Sequence, residues 1–214
     1  MLVAPSPLRA AAVPIEEAKP VPAFSFWRDR PAPALAALGL LSGVLSAAVG
    51  FELRIDILDW PGTLFFLSAE MMPIGLLFAA ALAFAIAQRQ GPFWAPTISF
   101  IGTLYAWSAA IQTALFMHKL GGGDASHAGP VLAGVSAGLV GAALTHLSLA
   151  LAAPELRALS KAARTCAVGA VAGVLFYFGS RNIIDARILF LVWQPAVAYA
   201  LGLGLARDPA PRAS

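Results

Sequence analysis

Six apolar blocks, at approximately 34–51, 63–88, 94–118, 129–152, 163–180 and 186–206, leave this chain of 214 residues few ways to fold. Each is close to the ~20 residues that a helix needs to cross the hydrocarbon of a bilayer. The runs are continuous and rich in Ala, Leu and Gly, whereas barrel strands would alternate over about ten residues. The expected fold is therefore an all-α membrane protein, a polytopic bundle of six transmembrane helices. Composition agrees: 12% of residues are charged, against roughly 25% in ordinary soluble domains.

The basic residues set the expected orientation. Arg9, Lys19, Arg28, Arg30, Arg89, Arg157, Lys161, Arg164, Arg207 and Arg212 fall on one side of a six-span layout, and Arg54, Lys119, Arg181 and Arg187 on the other. Cytoplasmic loops carry the excess of Lys and Arg, so both the N- and C-termini are expected in the cytoplasm of a bacterial-type inner membrane. The basic residues form no dense patch interleaved with aromatics, which argues against nucleic acid. The lipid bilayer is the expected partner.

Residues 1–33 carry seven prolines, Pro5, Pro7, Pro14, Pro20, Pro22, Pro31 and Pro33. Proline lacks the backbone donor that helices and sheets use, so this segment reads as a disordered cytoplasmic arm. Residues 34–206 form the transmembrane domain and 207–214 a short cytoplasmic tail. FSFWRDR, just ahead of the first span, reads as an interfacial anchor.

Glycine pairs four residues apart, Gly39 with Gly43, Gly134 with Gly138 and Gly169 with Gly173, clear one face of the first, fourth and fifth spans. Such faces let backbones approach closely. In the fourth span the seam runs on through Gly141, Thr145 and Ser148, which marks it as the central, tightly packed helix.

Polar residues inside hydrocarbon are the candidate site. Glu70, in LFFLSAEMMPIGLLFAAAL, lies at a depth of roughly 10 Å, where a carboxyl group must face the bundle interior, be protonated or line a wet cavity. Gln194 occupies a similar depth in the sixth span, and Gln112 lies in the third with Tyr105 and Ser108 on its face. Tyr177 lies toward the outer end of the fifth. Pro73 and Pro195 free helix carbonyls close to Glu70 and Gln194. These residues are expected to share an outward-facing polar cavity that binds a proton or a solute.

No metal or cofactor is expected. The single cysteine, Cys166, excludes an internal disulfide and a thiolate cluster. His118, Asp124 and His127 surround a triple glycine with no defined ligand spacing, and His146 is expected to bond within the bundle. Neither a nucleophile elbow nor HExxH occurs, and Gly121-Gly122-Gly123 lacks the Lys-Ser or Lys-Thr of a phosphate loop. Trp107 and Trp193 are expected to serve core packing.

The leading functional expectation is a small transporter-like or channel-like protein, with no enzyme activity assigned. The alternative is a non-catalytic accessory or assembly subunit that joins a homo-oligomer or a larger membrane complex through its glycine seams and its arm.

Overall fold

The computed structural model describes residues 29–49, 72–91 and 93–206. The arm through residue 28, the segment 50–71 that contains Glu70, and the tail 207–214 lie outside the described residues. Seven helices are described: α1 Pro31–Val49, α2 Met72–Gln90, α3 Trp94–Leu120, α4 Ala128–Ala152, α5 Leu159–Gly173, α6 Leu175–Ser180 and α7 Ile188–Leu205. Val174 separates α5 from α6 at helical dihedral angles, so the two form one span, Leu159–Ser180. Six helical segments are thus long and apolar enough to cross a membrane.

Two boundaries differ from the sequence reading. The first helix starts at Pro31, inside the stretch assigned to the arm. First-turn N–H groups have no intrahelical acceptor, so Pro31 and Pro33 cost the helix little there. The fifth span starts at Leu159, four residues early, because Lys161 and Arg164 are carried on its first turns rather than in a loop.

Each span packs on its neighbour in chain order, and α7 returns to α1, which closes a ring. The pairs are antiparallel: Gly39 and Gly43 of α1 meet Pro195 and Phe190 of α7, and Gly134 and Gly138 of α4 meet Gly173 and Gly169 of α5. Ala32 lies against Gly202, so the start of α1 and the end of α7 share one end of the bundle, the terminal end. The opposite end is the distal end. α4 touches α2, α3, α5, α6 and α7, the central position expected from its small residues.

The glycines explain how closely these helices approach. A Cβ placed on Gly39 would lie 2.8 Å from the Gln194 carbonyl oxygen and 2.8 Å from Pro195 Cα. One on Gly138 would lie 3.0 Å from the Gly169 carbonyl carbon and 3.2 Å from Gly173 Cα. Any side chain there forces two backbones apart.

The two ends of the ring are filled differently. Toward the terminal end, Leu35, Leu82, Ile86, Leu149, Leu156, Leu201 and Leu205 are buried in one apolar cluster. Cations close that end: Lys161 Nζ donates to the Gly204 carbonyl at 2.9 Å, and an Arg89 Nη donates to the Leu205 carbonyl at 3.0 Å. The last carbonyls of a helix lack intrahelical partners and carry the negative end of its dipole. Two residues read as orientation signals therefore also cap the final helix.

Beside them, His146 ties α4 to α5 and to the turn between them. Nε2 donates to the Leu156 carbonyl at 2.9 Å, and Nδ1 lies 3.1 Å from the Thr165 hydroxyl. The bond within the bundle expected for this histidine is present.

Candidate functional site

The distal half of the ring holds a cavity of about 480 Å³. Along α3 its wall is Thr103, Trp107, Ala110, Ile111, Ala114, Leu115 and His118. Steps of three, four and one keep these residues on a single helix face. Fifteen residues separate Thr103 from His118, about 22 Å along the axis at 1.5 Å per residue. The cavity is thus elongated, with Thr103 toward the middle of the bundle and His118 and Ser180 at the distal end.

Gly134, Gly138 and Gly141 of α4 and Gly173 of α5 line this space together with the aromatic side chains of Phe78, Trp107, Phe190 and Trp193. A Cβ on Gly134, Gly138 or Gly173 would point into the α4–α5 contact, so these glycines serve the seam beside the cavity. Phe78 meets Trp193 edge-on with ring centroids 5.7 Å apart, and Trp107 leans on Phe190 at 5.8 Å. Both indoles are fixed in place. Trp193 Nε1 donates to the Gly169 carbonyl at 3.2 Å, and Gly75 leaves room for Trp107, whose Cγ a Cβ at that position would meet at 2.7 Å. The two tryptophans therefore pack as expected and also wall the cavity.

Polar groups around the cavity are few: Thr103, Thr145, His118 and Ser180. Thr103 is 1% exposed, and its Oγ1 is buried with no hydrogen-bond partner among the described residues.

The polar cavity expected around Glu70 falls in part outside the described residues, and the other residues expected to share it are distinct from this apolar space. Tyr105, Ser108, Gln112, Tyr177, Gln194, Pro73 and Pro195 do not line the space. Gln194 is fully buried, but toward α1: its Oε1 accepts from Ser42 Oγ at 2.6 Å and its Nε2 donates to Ser46 Oγ at 3.2 Å. Successive helical residues point about 100° apart, so Trp193 reaches the cavity while Gln194 turns to α1. Pro195 lies beneath Gly39 at the same contact. Tyr105 is 50% exposed, two residues from both Thr103 and Trp107 and on another face of α3, whereas Ser108 is buried at 2%. Pro73 is buried at the start of the described part of α2, and Glu70 lies outside the described residues.

Tyr177 belongs to the distal closure. Its hydroxyl lies 2.8 Å from His127 Nδ1. Arg181 donates to the Asp124 carbonyl at 3.2 Å and to the Ser126 carbonyl at 2.5 Å, which fastens the loop between α3 and α4 to the end of α6. His118 pairs with Asp124 at 3.2 Å. The histidines around the triple glycine are thus divided between two different partners.

Thr103 is the residue that sequence reasoning passed over. Its signal is the α3 stripe of Thr103, Trp107, Ala110, Ala114 and His118, in which small side chains recur where a neighbouring helix would ordinarily demand large ones.

Gln194→Leu is expected to loosen α1 from α7 by about 1 kcal/mol, since buried interhelical polar contacts in membrane proteins have modest net value. The check is the detergent-unfolding midpoint, which should fall without loss of the cavity.

Comparison of the chain with family models, with curated proteins and with solved structures gives no match, so its function rests on the geometry of this cavity.

Proposed function

We propose that the protein is a small multi-pass membrane protein of transporter-like build that takes a membrane-soluble, predominantly apolar molecule into its distal cavity. The observation that carries this reading is the cavity itself: about 480 Å³, walled by aromatics and glycines, with four polar side chains along its length. Its volume and apolar lining match those of small-molecule sites, which lie in the range of roughly 300–1,000 Å³. An ion or a strongly hydrated solute would lose its water there with little to replace it.

Several observations support the membrane setting. Leu41, Val44, Phe84, Ile101, Phe116, Leu147 and Val171 are exposed on the outside of the bundle. A face of that kind suits lipid and not water. Arg89, Arg157, Lys161 and Arg164 belong to the terminal end, as expected if that end faces the cytoplasm of a bacterial-type inner membrane. The cavity then lies toward the outer side of the membrane, beneath the loop that Arg181 fastens. The packed leucine cluster at the terminal end supports a binding or carrier role over an open channel.

Ala114→Phe tests the reading by filling the cavity from α3. Binding of tetralin, a compact hydrocarbon, to the protein in lipid nanodiscs is expected to fall about tenfold or more, equivalent to about 1.4 kcal/mol. The thermal midpoint should hold or rise, because cavity filling commonly stabilises by about 0.5–2 kcal/mol. Native protein that takes up no more tetralin than empty nanodiscs would overturn the reading.

A further inference from the structure

α6 is a short arm between two fixed bodies. On its terminal side α5 is held firmly: Gly169 and Gly173 meet the backbone of α4, and the Gly169 carbonyl accepts from Trp193 Nε1 of α7 at 3.2 Å. At its distal end the loop between α3 and α4 is packed down. A Cβ on Gly121 would lie 2.6 Å from Gly129 Cα, and Ser126 Oγ donates to the Gly121 carbonyl at 2.6 Å while accepting from the Ala128 N–H at 2.9 Å. Between the two bodies the helical ladder is interrupted. The Val174 N–H donates to the Val171 carbonyl at 3.2 Å and the Tyr177 N–H to the Val174 carbonyl at 3.0 Å, steps of three residues where an α-helix takes four. A short stretch of that kind inside a helix often marks a hinge.

We propose that α6 is the gate of the cavity: it swings about Val174, Arg181 is its latch on the α3–α4 loop, and the apolar guest passes beside it. The inference rests on the cavity reading above and adds how a guest enters and leaves. Leu175, Phe176, Gly179 and Ser180 of α6 line the cavity, as do Leu189 and Phe190 of α7, so movement of α6 parts the wall between them. Three lining residues are exposed, Leu115, Ser180 and Ala186, and the last two lie at the tip of α6. The latch is built to release. Arg181 donates from its two Nη groups to the Asp124 and Ser126 carbonyls, which are neutral acceptors, while the Asp124 carboxylate turns to His118. Its Nε is buried with no hydrogen-bond partner among the described residues. An unpaired buried N–H on a charged group is costly, and water satisfies it once the arm moves away. The closed state therefore carries a penalty that opening relieves.

The test reads the rate at which fluorotetralin exchanges between lipid and cavity in nanodiscs, followed by fluorine NMR saturation transfer. Two variants should shift that rate in opposite directions. Arg181→Ala should speed exchange about tenfold, because bonds that hold the arm closed are lost from the barrier to opening. Its equilibrium affinity should stay within about twofold of native, since the latch touches the loop and not the guest. Gly179→Cys with Ala186→Cys, in a Cys166→Ala background, pins the arm: a Cβ on Gly179 would lie 3.4 Å from Ala186 Cβ, close to the ~3.5–4.5 Å that a disulfide spans. Oxidation of this variant should slow exchange about tenfold or more, and reduction should restore it, as for a lid that limits access. Equal rates in the oxidised, cross-linked form and the reduced form, or a native rate in Arg181→Ala, would overturn the gate alone while fluorotetralin binding stands. Uptake by the native protein no greater than by empty nanodiscs would overturn the cavity reading and the gate with it.

Discussion

Gly138→Val is expected to destabilise the bundle by about 3 kcal/mol or more, at the upper end of what overpacking costs. Gly138 sits where the backbones of α4 and α5 meet, and a Cβ there would lie 3.0 Å from the Gly169 carbonyl carbon and 3.2 Å from Gly173 Cα. Flexible side chains yield to an added methyl, but these are main-chain atoms inside regular helices. Relief therefore requires the two helices to separate, and separation uncouples the neighbouring Gly134 and Gly173 contact as well. Reversible unfolding in mixed detergent should show a lowered midpoint, and tetralin binding should weaken because Gly138 and Gly173 also wall the cavity. A variant with native stability would show that α4 and α5 do not depend on this contact.

His146→Ala is expected to cost about 2–4 kcal/mol, through the loss of a large buried side chain and of hydrogen bonds whose partners stay buried. The imidazole bridges the Leu156 carbonyl and the Thr165 hydroxyl. Leu156 is fully buried, so its freed carbonyl finds no solvent. His146 itself bonds toward the terminal end and does not line the cavity, whose wall Thr145 joins one residue earlier. Stability measured by detergent unfolding should drop while the affinity of the folded protein for tetralin is retained. That pattern separates His146 from Gly138, for which both quantities fall.

The polar residues show where reading by depth succeeds and where it stops. Gln194 was placed inside the bundle by its position along a span, and it is buried there. Depth along a helix follows from a constant rise per residue. The direction in which a side chain faces depends on how the helix is rotated against its neighbours, and Gln194 turns toward Ser42 and Ser46 of α1, whereas Trp193 faces the cavity. Grouping Gln112, Tyr177 and Gln194 by depth alone therefore did not identify the cavity wall. The glycine pairs were legible because a missing side chain has only one consequence in a packed bundle. Which helices they would join was not, since any pair of small-residue faces is complementary to any other.

Lys161 and Arg89 carry the same lesson for charge. Their side of the bundle is a matter of sequence position, but their bonds to the Gly204 and Leu205 carbonyls require the sixth span to end beside the second and the fifth.

Sequence by itself determined six helical spans, the closely packed glycine faces and the central place of the fourth span, because apolar length and side-chain volume act locally or on one helix at a time. Tertiary structure alone decided the ring that returns the last helix to the first, the solid terminal half and hollow distal half, and the isolation of the Thr103 hydroxyl. Those features arise from the relative rotation of helices far apart in the chain, and small changes in that rotation determine whether a side chain meets a neighbour or a cavity.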